Sequence, residues 1–193
     1  MSRDSRLAVK RLMDVVGSAL LLIPGLPIMA AVALAIRLES DGPILFRQER
    51  EGRHGHPFQI HKFRSMVNDA DRHGPVTSMA DPRVTGVGRI VRRFSLDELP
   101  QLFHVLVGEM SLVGPRPLLP GTTRPEERRR LEMRPGMTSL VEVRRPHLLS
   151  WDERMRIDVE YVETWGLALD LSILMRTIPA VLTRQHVLAA PRS

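Results

Sequence analysis

The chain has 193 residues, enough to bury a core as one domain, and a formal net charge of +6 in which 26 Arg stand beside only two Lys. Cysteine is absent, which excludes disulfides and thiolate metal sites and is compatible with a cytosol-facing protein. The arginine excess points to anionic partners such as lipid headgroups or phosphorylated substrates, and eight aromatics without a stacking series argue against nucleic acid.

First in chain order comes an uncharged run of 22 residues, Val15 to Ile36. As one helix it spans about 33 Å, roughly a hydrocarbon core. Three readings compete. A secretory signal fits the basic start (Arg3, Arg6, Lys10, Arg11) and the small-residue site Ala31-Val32-Ala33. A single transmembrane helix fits the length. A re-entrant helix-break-helix fits Pro24-Gly25-Leu26-Pro27 in the middle of the run, and also the basic residues at both ends, Arg37, Arg47, Arg50 and Arg53 following the first four. A backbone break exposed to lipid is costly, so the kink has to lie shallowly or find a polar partner such as Ser18. Asp14, just before the run, is expected at headgroup level.

Ser40-Asp41-Gly42-Pro43 reads as a turn, followed by a β-hairpin from Ile44–Gln48 and Phe58–Arg64 around Gly52-Arg53-His54-Gly55. Strand alternation places Lys62 and Arg64 on one face and Phe63 on the other. Both cations are candidates for phosphate, Lys62 as a compact ammonium beside phosphate or carboxylate, against the competing reading of a solvated strand face. His54, His56, His61 and His73 lack ligand spacing and read as surface residues. Asp69 to Gly88, rich in Gly, Pro, Asp and Thr, reads as a surface loop over the site.

The stretch Phe94 to Leu102 carries two adjacent carboxylates, Asp97 and Glu98, in a basic neighbourhood: Arg89, Arg92 and Arg93 upstream, Arg116 downstream between Pro115 and Pro117. Guanidinium groups bind phosphate oxygens while carboxylates hold Mg²⁺, so acid among arginines suits joint handling of phosphate and a divalent metal. Ser95-x-x-Glu98 is equally a capping box. Pro100, however, favours the first helical position and biases Leu99 towards extended backbone, which starts the helix near Pro100 and leaves Asp97 and Glu98 on its lip. Gly108 supplies the stop.

Arg124 to Arg134 reads as a charged, solvated or headgroup-facing helical stretch ended by Pro135-Gly136. Ser150-x-x-Glu153 opens another helix with Met155, Val159, Val162 and Trp165 on one face, and Asp170 caps a further one. These amphipathic helices suit either a membrane interface or a core.

Lys10-Arg11-x-x-Asp14, Pro43 to Glu49, Lys62 to Met66, Ser95 to Leu102, Met110 to Pro117, Arg134-Pro135-Gly136 and Asp158-x-x-Tyr161-Val162, in this order, resemble the bacterial sugar transferases, specifically the small monotopic phosphoglycosyl transferases. The resemblance implies an α+β, mainly helical fold. Residues 1–40 would be a re-entrant membrane-anchoring helix, and 41–193 a catalytic domain with a short hairpin and interfacial helices, on the cytoplasmic face of the inner membrane. It also implies transfer of a sugar 1-phosphate from a UDP-sugar to polyprenol phosphate, releasing UMP, with Mg²⁺ as cofactor. Asp97 would be nucleophile and metal ligand. Glu98 would activate or orient the acceptor, and Arg116, Arg92, Lys62 and Arg64 would hold phosphate. The implied partners are UDP-sugar, polyprenol phosphate and membrane lipid, with a homodimer left open. The likeness is to the minimal catalytic form, without a multi-span or nucleotide-binding extension. Two departures stand out: Leu26 where the family often has Ser before the membrane-break proline, and Ser139 to Arg145 in place of Gly-Leu-Ala-Gln-Val-Asn-Gly. The rival from another class is a noncatalytic basic membrane adaptor.

Overall fold

The computed structural model describes residues 2–68, 70, 81–144 and 149–182. Helix α1 (Arg3–Glu39) starts where Ser2 accepts the Ser5 N–H and ends at Ser40. It is one uninterrupted helix of 37 residues, about 55 Å at the ordinary rise. The expected break is therefore not an unwound segment: Pro24 and Pro27 lie inside the helix, depriving the Leu20 and Ile23 carbonyls of their usual donors. Ser18 does not serve them, because its hydroxyl donates to the Asp14 carbonyl at 2.6 Å.

One stripe of α1 is buried along its length: Lys10, Asp14, Ser18, Leu22, Gly25, Val32 and Ile36. The opposite face exposes Leu12, Val16, Leu20, Ile23, Leu34 and Leu38. Helix α1 is long and apolar enough to cross a membrane, and a solvent-facing apolar surface of this size is what membrane association requires.

Two small sheets complete the fold. Strands β1 (Leu45–Glu51) and β2 (Pro57–Phe63) form the expected antiparallel hairpin, β1 running on past Gln48 and β2 starting and ending one residue earlier than the sequence pattern indicated. Strands β3 (Ser111–Val113) and β4 (Gly136–Thr138) form a short parallel pair that no pattern announced. At three residues each, they are too short for alternation to show. Their backbones approach so closely that a Cβ on Gly114 would lie 2.2 Å from the Arg134 carbonyl oxygen, which only glycine permits. The remaining helices are α2 (Gly86–Arg93), α3 (Gln101–Val107), α4 (Leu140–Val143), α5 (Trp151–Thr164) and α6 (Leu167–Leu182). Residues 69 and 71–80 of the expected loop, with His73, lie outside the described residues, while Gly86–Gly88 open α2 instead.

The main core joins Leu22 of α1 to Phe58 and Ile60 of the hairpin, Leu102 and Val105 of α3, and Tyr161, Val162 and Ile173 of α5 and α6. A second cluster, Val32, Ile36, Phe63 and Val91, fastens the C-terminal half of α1 to β2 and α2. Ser150 and Glu153 form the expected capping box of α5, and Trp165 is core. The buried face of α5 runs through Met155, Asp158, Tyr161 and Val162, so it includes an aspartate and a tyrosine that the apolar spacing passed over.

Three charged residues depart from expectation because each finds a partner inside. Asp14 does not face outward: its carboxylate is buried and accepts from the Ser111 hydroxyl and the Leu112 N–H, both at 2.9 Å. Asp170 is not a cap but a buried acceptor for Lys10 Nζ (2.6 Å), the Tyr161 hydroxyl (2.7 Å) and Trp165 Nε1 (3.1 Å). Arg130, within the stretch read as a solvated surface, is 2% exposed and pairs with Asp158 at 2.8 Å.

Asp170→Ala leaves the Lys10 ammonium, Tyr161 and Trp165 without their shared acceptor. It is expected to destabilise the fold by about 3–5 kcal/mol, the usual cost of breaking a buried pair from one side. Thermal unfolding in detergent reads this directly, and an unchanged midpoint would contradict the assignment.

Candidate active site

The dyad follows a strained residue. Ser95 adopts the left-handed conformation at φ 53°, at a cost of about 1–3 kcal/mol for a side chain of this kind. One 3₁₀ turn, Leu96–Glu98, follows, and α3 begins after Pro100. The Ser95 side chain caps nothing, so the capping box does not form, and Leu99 is helical (φ −53°, ψ −37°) with its N–H on the Leu96 carbonyl at 3.2 Å. The expected helix start near Pro100 holds, and both carboxylates precede it. With α3 only seven residues long, its dipole contributes little at Asp97.

Cations from three elements converge here. Lys62 on β2 donates to Glu98 Oε1 at 2.5 Å, the two side chains being 26% and 32% exposed, so a ligand can reach them. Burial pushes the Asp97 carboxyl up to about 6, reinforced by the Glu98 charge and opposed by Lys62 and Arg92. Glu98 moves the other way: burial favours its protonated form, but the charge and hydrogen bond of Lys62 outweigh this and hold it below the ordinary value. Arg92 comes from α2, its Nε donating to Ser65 Oγ at 2.7 Å. Desolvation weakens its hold on a proton while Asp97 opposes that shift, so the guanidinium and the dyad carboxylate share one field. Gly88 makes this approach possible, since a Cβ there would lie 2.0 Å from the Ser65 carbonyl oxygen.

Arg116 projects from the turn after β3 and donates from Nη1 to Glu142 Oε1 on α4 at 2.5 Å. Partial burial would lower its proton affinity, yet the carboxylates of Glu142 and Glu98 outweigh it. Its carbonyl is held by Arg130, and so by the Arg130–Asp158 pair beneath the turn. Asp97, Glu98, Lys62, Arg92 and Arg116 thus act on one another electrostatically.

Arg64 does not join them. Its guanidinium is committed to the Ser40 carbonyl (2.8 Å) and hydroxyl (2.9 Å), the Asp41 carbonyl (2.6 Å) and Asn68 Oδ1 (2.8 Å). It lies just past the end of β2, so strand alternation does not govern its direction, and it fastens the turn leaving α1. Ser65, Arg130 and Glu142 were missed. Ser65 and Asp158 stood in the sequence as motif residues without a role, Glu142 within the departing stretch Ser139 to Arg145, and nothing in spacing alone singles out Arg130.

Among the described residues no group of three or more His, Cys, Asp or Glu could enclose a metal. Mg²⁺ needs less: one or two carboxylates, the remaining positions falling to water and substrate phosphate. Glu98 is committed to Lys62, so Asp97 is the dyad carboxylate that fits such an ion. A cleft of about 450 Å³ lies elsewhere: Leu12, Val16, Gly17, Leu112 and Leu174 line it, and no dyad residue does.

The sequence profile described as bacterial sugar transferase matches residues 5–184. The chain is 46% identical over 191 residues to a UDP-glucose:undecaprenyl-phosphate glucose-1-phosphate transferase of Caulobacter vibrioides, covering 92% of this chain and 71% of that protein. It is 39% identical over 183 residues to the uncharacterized sugar transferase EpsL of Bacillus subtilis, covering 93% and 90%. An undecaprenyl-phosphate galactose phosphotransferase of Salmonella typhimurium is 39% identical over 207 residues, with 94% of this chain but only 42% of that protein covered.

The raised Asp97 pKa has a sign that stability can test. Below its unfolded value near 3.8 the carboxyl is protonated in both states; between there and about 6 the folded state binds the extra proton, so stability falls as pH rises. Asp97→Asn removes that loss. The variant is expected to melt a few degrees above the wild type at pH 7–8 and to match it near pH 4, as thermal scans across pH would show.

Proposed function

The chain belongs to the bacterial sugar transferase family, and on that footing we propose that it transfers a sugar 1-phosphate from a UDP-sugar to polyprenol phosphate, undecaprenol phosphate in the first instance, releasing UMP. The observation that carries this reading is a half-buried carboxyl held at about 6, beside a Lys62–Glu98 pair and Arg92. At neutral pH Asp97 is mostly ionised, yet more basic than an exposed aspartate, which suits a carboxylate nucleophile. A basic adaptor that only bound lipid would have no use for such a group.

The proposed chemistry takes two displacements at one phosphorus. An Asp97 carboxylate oxygen attacks the sugar-bearing phosphorus, the bond to the bridging oxygen breaks, and UMP leaves with that oxygen. A phosphate oxygen of the polyprenol phosphate then attacks the same phosphorus and releases Asp97, giving a polyprenyl diphosphate sugar. Lys62, Arg92 and Arg116 offset the charge of two anionic reactants. Glu98, kept ionised by Lys62, is a poor proton acceptor, so its part is to hold the ammonium in place. Mg²⁺ bound at Asp97 would supply further charge neutralisation on the phosphates.

The apolar outer face of α1 supports a membrane location for this reaction. Basic flanks at both ends and two central prolines favour a re-entrant helix at the cytoplasmic face of the inner membrane over a span. Exposed Leu171, Met175 and Ile178 on α6 suit an interfacial position beside it.

Purified protein in detergent, given a panel of UDP-sugars, Mg²⁺ and undecaprenol phosphate, is expected to release UMP from at least one. Asp97→Asn is expected to reduce release at least 10³-fold and to abolish the single-turnover burst without acceptor, ~4 kcal/mol of barrier. Retained turnover in that variant would sink the covalent role.

A further inference from the structure

Glu142 is the third carboxylate of the site, and no step above uses it. Its side chain is 19% exposed, whereas its partner Arg116 is 59% exposed. Glu142 is also the anchored member of the pair. Its N–H is held by Ser139 Oγ at 3.2 Å, and Leu140 and Val141 beside it are buried. The root of Arg116 is fixed too, through its carbonyl on Arg130, so what remains movable is the long stem that carries the guanidinium. The charges of both Arg116 and Glu142 reach Glu98, which places their contact at the edge of the dyad.

We infer that Glu142 is a positioning residue whose carboxylate holds Arg116 and gives way to a phosphate oxygen when a nucleoside diphosphate binds. The identity of that ligand rests on the transferase reading. Only Nη1 of Arg116 is on Glu142, and a guanidinium carries five N–H donors, so a second edge is available for the incoming phosphate. An ion pair this open to water is weak, while a bidentate guanidinium–phosphate contact is among the strong ones, so the exchange runs towards the ligand. The carboxylate holds Arg116 ready beside Glu98, and in return it competes with the substrate for the guanidinium. Glu142 thereby sets nucleotide affinity without touching the reacting atoms.

The test is UDP binding to the full chain in detergent, measured by titration calorimetry at low and high salt. Glu142→Gln keeps an oxygen that accepts from Arg116 but removes the charge. It is expected to bind UDP about five- to tenfold more tightly than the wild type at low salt, with the gain shrinking at high salt. Glu142→Asp, which draws the carboxylate back, is expected to give a smaller gain and serves if the glutamine variant folds poorly. In an Arg116→Ala background, Glu142→Gln is expected to change UDP affinity little, because the effect passes through Arg116. Equal or weaker binding in both Glu142 variants, full additivity with Arg116→Ala, or no UDP binding by any form would each overturn the assignment. A wild type that shows this binding pattern yet releases no UMP from any UDP-sugar would overturn the transferase reading and leave Glu142 in its role.

Discussion

An apolar helix that buries a lysine and an aspartate imposes the constraint on which this structure turns. Lys10 and Asp14 lie on the inner stripe of α1, where an unpartnered charge would cost a large share of a fold's net stability. Their partners are therefore fixed points. Lys10 reaches Asp170 and the Val113 carbonyl, and Asp14 takes the Ser111 hydroxyl and Leu112 N–H. All of β3 is thereby registered against α1, and Arg116 follows three residues after Val113. Near its other end, Val32 and Ile36 hold Phe63 and Val91, the neighbours of Lys62 and Arg92, while Glu39 takes the Val87 N–H at 2.9 Å. One rail sets the spacing between the two sides of the site.

Within that frame the site is balanced rather than simply basic. Lys62 faces Glu98, Arg92 faces Ser65 and the Asp97 field, and Arg116 faces Glu142. A cluster of bare cations would bind any anion and would strain the fold by mutual repulsion. Pairing keeps the cations oriented and makes ligand binding an exchange of partners, which favours groups that offer several phosphate oxygens in the right places.

Much of the plan was legible in the sequence because local chemistry decides it. The hairpin, the Gly108 stop, the capped start of α5 and the helix onset near Pro100 all follow from turn and capping residues whose preferences act within a few positions. The dyad, Lys62, Arg92 and Arg116 stood out as charge among arginines. What escaped was decided at long range. Asp170 looks like a cap until Lys10, 160 residues away, is seen beside it, and Arg130 looks solvated until Asp158 appears beneath it. Arg64 looked like a strand residue aimed at substrate, yet it sits just past the strand and serves the turn at Ser40. No periodicity carries such pairings. The parallel β3–β4 contact was equally hidden, since its signature is two glycines without side chains.

The separation between Lys10 and Asp170 also bears on how the molecule is made. Helix α1 leaves the ribosome well before α6, so its lysine is made 160 residues ahead of the acid that neutralises it. Until Asp170 emerges the nascent helix carries an unmatched ammonium, which keeps that part of it at the water boundary rather than deep in lipid. Docking of β3 and α6 then closes the charge and commits the buried stripe, so this packing waits until α6 has been made.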